Sequence, residues 1–231
     1  MPIPSRSQGF SVGPQDASIT IDIFLDLTCG DCRSIFPTML DLINEYNEKI
    51  QIKFHTFPLP YHTYSFIVNQ AVHVISHLTH GNIKSILCYM KQIFDQQTQF
   101  YDYSTLNMSR LQIMKLVSSF IPSTIDKQKF LNGLGDATIN REGTIAFKYG
   151  CSRGVVGTPT FMINGVIVQG ETEKWTLNNF KLILDPLLNN NRYPSCKTPK
   201  NLVCCFANNI RQCPRLGCHC FYLNTKNLCE I

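Results

Sequence analysis

Cys29-Gly30-Asp31-Cys32 constrains this chain more than any other feature, because it stands where a strand pattern ends and a helix pattern begins. Ile19 to Leu27 (ITIDIFLDL) is rich in β-branched and aromatic residues and predicts a strand. Arg33 to Lys49 then sets Phe36, Met39, Leu40, Ile43 and Tyr46 at helical spacing, so Cys29 falls at the start of the helix. Unpaired backbone N–H groups and the positive end of the helix dipole stabilise a thiolate there, and paired cysteines at such positions have pKa values of roughly 3.5 to 7 against about 8.5 for a free thiol. The thiolate is the nucleophilic form, so the placement predicts a reactive dithiol. Two thiols at this spacing are also half of a zinc site, but the other half is not evident: in the body of the chain the remaining cysteines, Cys88 and Cys151, are isolated. No metal and no cofactor is expected at the motif.

A second element lies far downstream, in Gly157-Thr158-Pro159-Thr160-Phe161-Met162-Ile163-Asn164-Gly165-Val166-Ile167-Val168. Two β-rich runs flank Asn-Gly, the strongest short-range hairpin signal, and a proline opens the first run. That proline suits a cis Thr158-Pro159 bond and equally an ordinary strand start, where the missing N–H is no loss.

Together, Phe24-Leu25-Asp26-Leu27-Thr28-Cys29-Gly30-Asp31-Cys32 and Gly154-Val155-Val156-Gly157-Thr158-Pro159 resemble the DsbA/DsbC branch of the thioredoxin superfamily. Phe57-Pro58-Leu59-Pro60-Tyr61-His62 and Phe147-Lys148-Tyr149-Gly150 resemble eukaryotic DsbA-like proteins, and the likeness runs from about Ile19 to Leu188. It implies an α/β thioredoxin-like fold with a helical insertion. It also implies thiol-disulfide exchange on protein substrates without a cofactor, with Cys29 as attacking thiol, Cys32 as resolving thiol, and Thr158 and Pro159 as the loop that pairs with a bound peptide. A redox partner protein or glutathione would turn the pair over. Two positions depart from the pattern. The buried acid expected six residues before the first cysteine is replaced by Ile23, leaving Asp26, three residues before Cys29, as a strand-end acid that modulates the site. Asp31 stands where DsbA-like oxidants often carry histidine, and its charge, opposing the thiolate, implies a less oxidising pair than in DsbA.

Between the two motifs, from about 63 to 150, Ser65 to Leu78, Ile83 to Phe94, Ser109 to Phe120 and Ala137 to Tyr149 carry helical apolar spacing, and Lys174 to Leu188 predicts a closing helix. His73, His77 and His80 are expected on a solvated face opposite the apolar stripe of the first of these helices, and Cys88 and Cys151 as buried structural thiols.

Residues 1–188 therefore form one predicted domain, 189–195 a linker and 196–231 a separate cysteine-rich tail. The tail holds seven cysteines within 34 residues, and the density predicts a disulfide-stapled module, with metal-binding thiolates beside His219 as the alternative. Residues 192–231 hold six basic residues and one acid, which leaves the rest of the chain balanced at 15 of each sign. The basic charges are dispersed, so no nucleic-acid partner is expected, and no apolar run reaches the length of a membrane span. Met1 to Arg6 leads into a polar stretch without a signal-peptide core and predicts a cytosolic chain, whereas the tail predicts the secretory pathway or an extracellular setting. Two other functions share these features: a secreted binding module on a non-catalytic thioredoxin scaffold, and a glutathione-dependent kappa-type transferase, against which retention of both Cys29 and Cys32 counts.

Overall fold

The structure is a computed structural model and describes residues 8–189. Its sheet has five strands in the order β1-β3-β2-β4-β5: β1 Phe10–Val12, β2 Thr20–Leu25, β3 Gln51–Thr56, β4 Thr160–Ile163 and β5 Val166–Ile167. β2 and β3 are parallel, as a strand-helix-strand crossover requires, and the other pairings are antiparallel. The crossover helix is α1, Gly30–Tyr46, which buries Cys32, Ile35, Phe36, Met39, Leu42 and Tyr46.

β2 is central and covered on both faces. Ile21, Ile23 and Leu25 fill one side, while Phe24 on the other stacks on His55 at 4.5 Å and Tyr149 at 6.1 Å between ring centroids. At about 1.5–3 kcal/mol for each fully buried apolar side chain, this strand anchors the fold and fixes where its C-terminal end, and thus Cys29, must emerge. β4 pairs with β2 through Phe24↔Thr160, which brings the Thr158-Pro159 loop to that same end. The β4–β5 turn is the predicted Asn-Gly, with Asn164 at φ 49° and Gly165 at φ 80°.

The insertion comprises α2 Ser65–Leu78, α3 Ile83–Asp95, a 3-10 turn Gln97–Phe100, α4 Asp102–Thr105, α5 Arg110–Val117, α6 Lys127–Gly135 and α7 Ala137–Ser152. Asn82, Ser109, Asp126 and Asp136 cap α3, α5, α6 and α7, each accepting a backbone N–H, and Ser109 with Gln112 forms a full capping box. α7 lies against the sheet through the Phe147-Lys148-Tyr149-Gly150 run. Phe147 stacks on Phe57 at 5.0 Å, and Gly150 permits the approach: a Cβ there would stand 2.4 Å from Phe57 and 3.4 Å from Phe24.

Three expectations need correction. His73 is interior rather than solvated, because α2 is buried nearly all round; its Nε2 is 2.9 Å from Thr56 Oγ1 and its Nδ1 3.9 Å from Glu142 Oε2. His77 is exposed, and His80 lies past the end of α2 in a left-handed turn at φ 52°, so the three do not share a helix face. Cys88 and Cys151 are exposed: Cys88 lies off the stripe of Ile86, Tyr89, Met90 and Ile93, and Cys151 off that of Ile139, Gly143, Ala146 and Gly150.

The chain divides into two units, Met1–Phe180 and Lys181–Ile231, the division falling within α8, Leu177–Leu188. The cysteine-rich tail and most of the expected linker lie outside the described residues. Among the described residues no helix is long and apolar enough to cross a membrane, and no cluster of ligating side chains could hold a metal.

Candidate active site

Asp26 begins the loop that presents Cys29. Its carbonyl accepts the Cys29 N–H at 3.0 Å, and its carboxylate accepts the Thr28 N–H at 2.9 Å and the Thr28 hydroxyl at 2.8 Å, closing a tight turn between β2 and α1. Cys29 is the N-cap of α1 with extended backbone angles (φ −81°, ψ 126°), and Cys32 lies in the first helical turn with no exposure. Both are free thiols.

The two sulfurs occupy different environments. Cys29 is 7% exposed, and its Sγ donates to the Thr158 carbonyl at 3.3 Å. The Cys32 thiol is the main influence lowering the Cys29 pKa, since its S–H donates to the thiolate. Burial opposes it, and the backbone N–H groups of Cys32 and Asp31 and the Thr158 side chain add to it, for a result of about 6. The Thr158 Oγ1 is buried without a partner in the structure and is available as that donor. Cys32 is driven well above the ordinary thiol value, first by burial and then by its bond to Cys29. One sulfur is disposed to ionise and the other to remain a thiol.

The Thr158-Pro159 peptide bond is cis. Its loop supplies a backbone carbonyl to Cys29, and the Thr158 hydroxyl is buried without a partner.

Asp26 has no solvent exposure, and its carboxylate is surrounded by donors. Besides Thr28, Oδ1 accepts from Asn69 Nδ2 at 2.7 Å; Oδ2 accepts from the Leu59 N–H at 3.1 Å and from His62 Nδ1 at 2.8 Å. Burial alone would raise its pKa, yet the hydrogen bonds from His62, Thr28 and Ser65 outweigh burial and hold it below the ordinary aspartate value. Its backbone N–H meanwhile points to Cys32 Sγ at 3.5 Å. Asp26 is thus the hub of the loop rather than a passive strand-end acid. The Phe57-Pro58-Leu59-Pro60-Tyr61-His62 run supplies two of its ligands.

A second clamp comes from the insertion. Fully buried Gln97 donates through Nε2 to both the Leu27 and Cys29 carbonyls at 2.8 Å, and its Oε1 accepts from the Tyr101 hydroxyl at 2.8 Å. One amide thereby satisfies carbonyls on both sides of Thr28 and ties the insertion to the cysteine loop. Asp31, by contrast, is exposed, and it reaches Cys29 through its backbone N–H. His62, Asn69, Gln97 and Tyr101 carry no spacing signal that links them to Cys29; only His62 falls within a run that the family likeness picked out.

The family model described as thioredoxin matches residues 5–185. Solved structures share the fold at low identity. DsbA from Chlamydia trachomatis matches with a TM-score of 0.65 at 15% identity, covering 83% of this chain and 98% of that one. Wolbachia pipientis alpha-DsbA1 matches with a TM-score of 0.63 at 20% identity, covering 82% and 94%. A protein described as a protein-disulfide isomerase from Pseudomonas syringae matches with a TM-score of 0.67 at 17% identity, covering 76% and 97%. No curated protein matches the chain in sequence. With the family model spanning most of its length and the strand order, cysteine turn and proline loop assembled at one end of the sheet, the chain belongs to the thioredoxin family.

Proposed function

We propose that this protein is a thiol-disulfide oxidoreductase acting on protein substrates, with Cys29 as the attacking and Cys32 as the resolving sulfur. The observation that carries this reading is the asymmetry of the pair. A thiol with a pKa of about 6 at the mouth of the site is about nine-tenths thiolate at pH 7, while its neighbour, two residues inward and fully buried, remains protonated. The similarity to DsbA proteins supports it.

In the reducing direction, the Cys29 thiolate attacks one sulfur of a substrate disulfide. The substrate S–S bond breaks, a Cys29–substrate bond forms, and the departing thiolate takes a proton from water. Cys32 then loses its proton and attacks Cys29 Sγ. The second substrate sulfur leaves as a thiolate, the Cys29–Cys32 disulfide remains, and two electrons have passed to the substrate. The oxidising direction is the same path reversed. In this reading an extended peptide pairs with the main chain of the loop at Thr158 and Pro159 beside the sulfur, which gives affinity with little side-chain preference. Asp26 and Asp31 modulate the pair, the first from within and the second from the surface.

Reduction of insulin disulfides tests the reading. The wild-type chain should catalyse it with dithiol as electron source, and Cys29→Ser should lose essentially all of the rate. A wild-type protein that is inert, or a Cys29→Ser variant that remains active, would leave the fold as a binding scaffold.

A further inference from the structure

The Cys29–Cys32 turn itself contains no cation: Gly30 and Asp31 separate the sulfurs, and the charge in the first turn of α1 is acidic. A buried Asp26 carboxylate behind the turn makes matters worse for a thiolate, because two anions close together in a poorly hydrated site disfavour one another. The structure places an imidazole against that carboxylate. His62, on the loop between β3 and α2, has its Nδ1 2.8 Å from Asp26 Oδ2 and 3.1 Å from Thr28 Oγ1, one residue from Cys29. Its side chain is 27% exposed, so it is shielded enough to act electrostatically and open enough to exchange a proton with water. The neighbouring Tyr61 ring meets it edge-on at 5.0 Å.

Resting on the dithiol reading above, we propose that His62 is a positioning residue for the exchange reaction, an imidazolium that supplies from a separate loop the positive charge favouring the Cys29 thiolate, with buried Asp26 keeping that imidazole charged and aimed. The groups facing it agree. The hydrogen bond to Asp26 is the leading cause that raises the His62 pKa; burial opposes it, and the charges of Asp26, Cys29 and Asp102 add to it. Asp102 reaches this loop from α4, where its carboxylate accepts the Thr63 N–H at 3.0 Å. Asp26 follows β2, Cys29 caps α1 and Asp102 opens α4, so anions approach the imidazole from three elements. The proton lost by Cys29 and the proton kept by His62 are then coupled, and the coupling must be reciprocal.

Two measurements on the reduced full chain test this. Thiolate absorbance against pH in wild type and His62→Gln should show the Cys29 midpoint rising from about 6 by about one unit, which is roughly tenfold less thiolate on the acid side. A tenfold loss in the corresponding exchange equilibrium would move the Cys29–Cys32 potential by about 30 mV towards a more reducing pair. Independently, NMR titration of His62 in Cys29→Ser should give a lower midpoint than in wild type, and this arm decides should His62→Gln fail to fold. A Cys29 midpoint unmoved in folded His62→Gln, or a His62 midpoint unmoved in Cys29→Ser, would overturn the proposal and leave His62 a structural ligand of Asp26. Should wild-type Cys29 titrate as an ordinary thiol, the dithiol reading fails first, and this one falls with it.

Discussion

Asp26 carries more of the site than any other side chain, and its replacement separates structure from chemistry. Asp26→Ala leaves five donor groups on Thr28, Leu59, His62 and Asn69 without their acceptor in a fully buried pocket, which should cost about 3–5 kcal/mol in urea unfolding. The pH dependence has a definite sign. Asp26 has a folded pKa below its unfolded value, so its contribution is present above about pH 4 and is lost as pH falls through the folded value. His62 has a folded pKa above its unfolded value, so its contribution is complete below about pH 6.5 and is lost as pH rises through the folded value. Measured in a Cys29→Ser background, which removes the opposing thiolate titration, stability should therefore be greatest between about pH 4 and 6.5, and the decline from about pH 6.5 to 8 should vanish on adding His62→Gln. Asp31 is expected to matter less than its place in the motif implies. Its carboxylate is exposed and screened, so Asp31→Asn should lower the Cys29 midpoint by only a few tenths of a unit, as thiolate absorbance would show.

At the scale of elements, the parts legible in the sequence were those with a local signal. β2, α1, α2, α3, α7 and the Asn-Gly hairpin follow from periodicity and turn chemistry, with boundaries close to those expected. β3 did not stand out, since Gln51, Lys53 and His55 interrupt its apolar residues; His55 is nevertheless buried, paired with Asp22 at 2.8 Å and stacked on Phe24. Cys88 has apolar neighbours in sequence, Ile86, Leu87 and Met90, but lies off the buried stripe. The mistaken exposure of His73 arises because a stripe on a single helix does not reveal how many neighbours surround that helix. The same limit hid Gln97, which meets the cysteine loop through a contact 68 residues away in sequence. Gln97→Ala should strip the Leu27 and Cys29 carbonyls of their donor, cost about 1–3 kcal/mol, and broaden the Cys29 environment in NMR spectra while the rest of the sheet is unchanged. Gly150→Ala should be worse than its one added methyl implies, because the Cβ would press into Phe57 where α7 meets the sheet; a fall of several degrees in melting temperature is expected.

For the whole molecule, among the described residues every group hydrogen-bonded to the two cysteines belongs to the unit Met1–Phe180. A chain ending at Asn189 should accordingly fold and retain insulin reduction, whereas loss of activity on removing residues 190–231 would assign the tail a part in the reaction. The seven tail cysteines are proposed to be bridged in an oxidising compartment, and mass spectrometry with and without reductant should show three disulfides there and one remaining sulfur. Stoichiometric zinc in place of bridges would reverse that assignment and favour a reducing compartment.

Division of labour between the two sulfurs is tested most directly by trapping. Cys32→Ser, incubated with a disulfide-bonded protein substrate and analysed by non-reducing mass spectrometry, should accumulate a mixed disulfide at Cys29, because the attack is intact and the resolving thiol is gone. Cys29→Ser should form no mixed disulfide at Cys32. A mixed disulfide formed through Cys32 in the Cys29→Ser chain, or none in either variant, would contradict the assignment of Cys29 as the nucleophile.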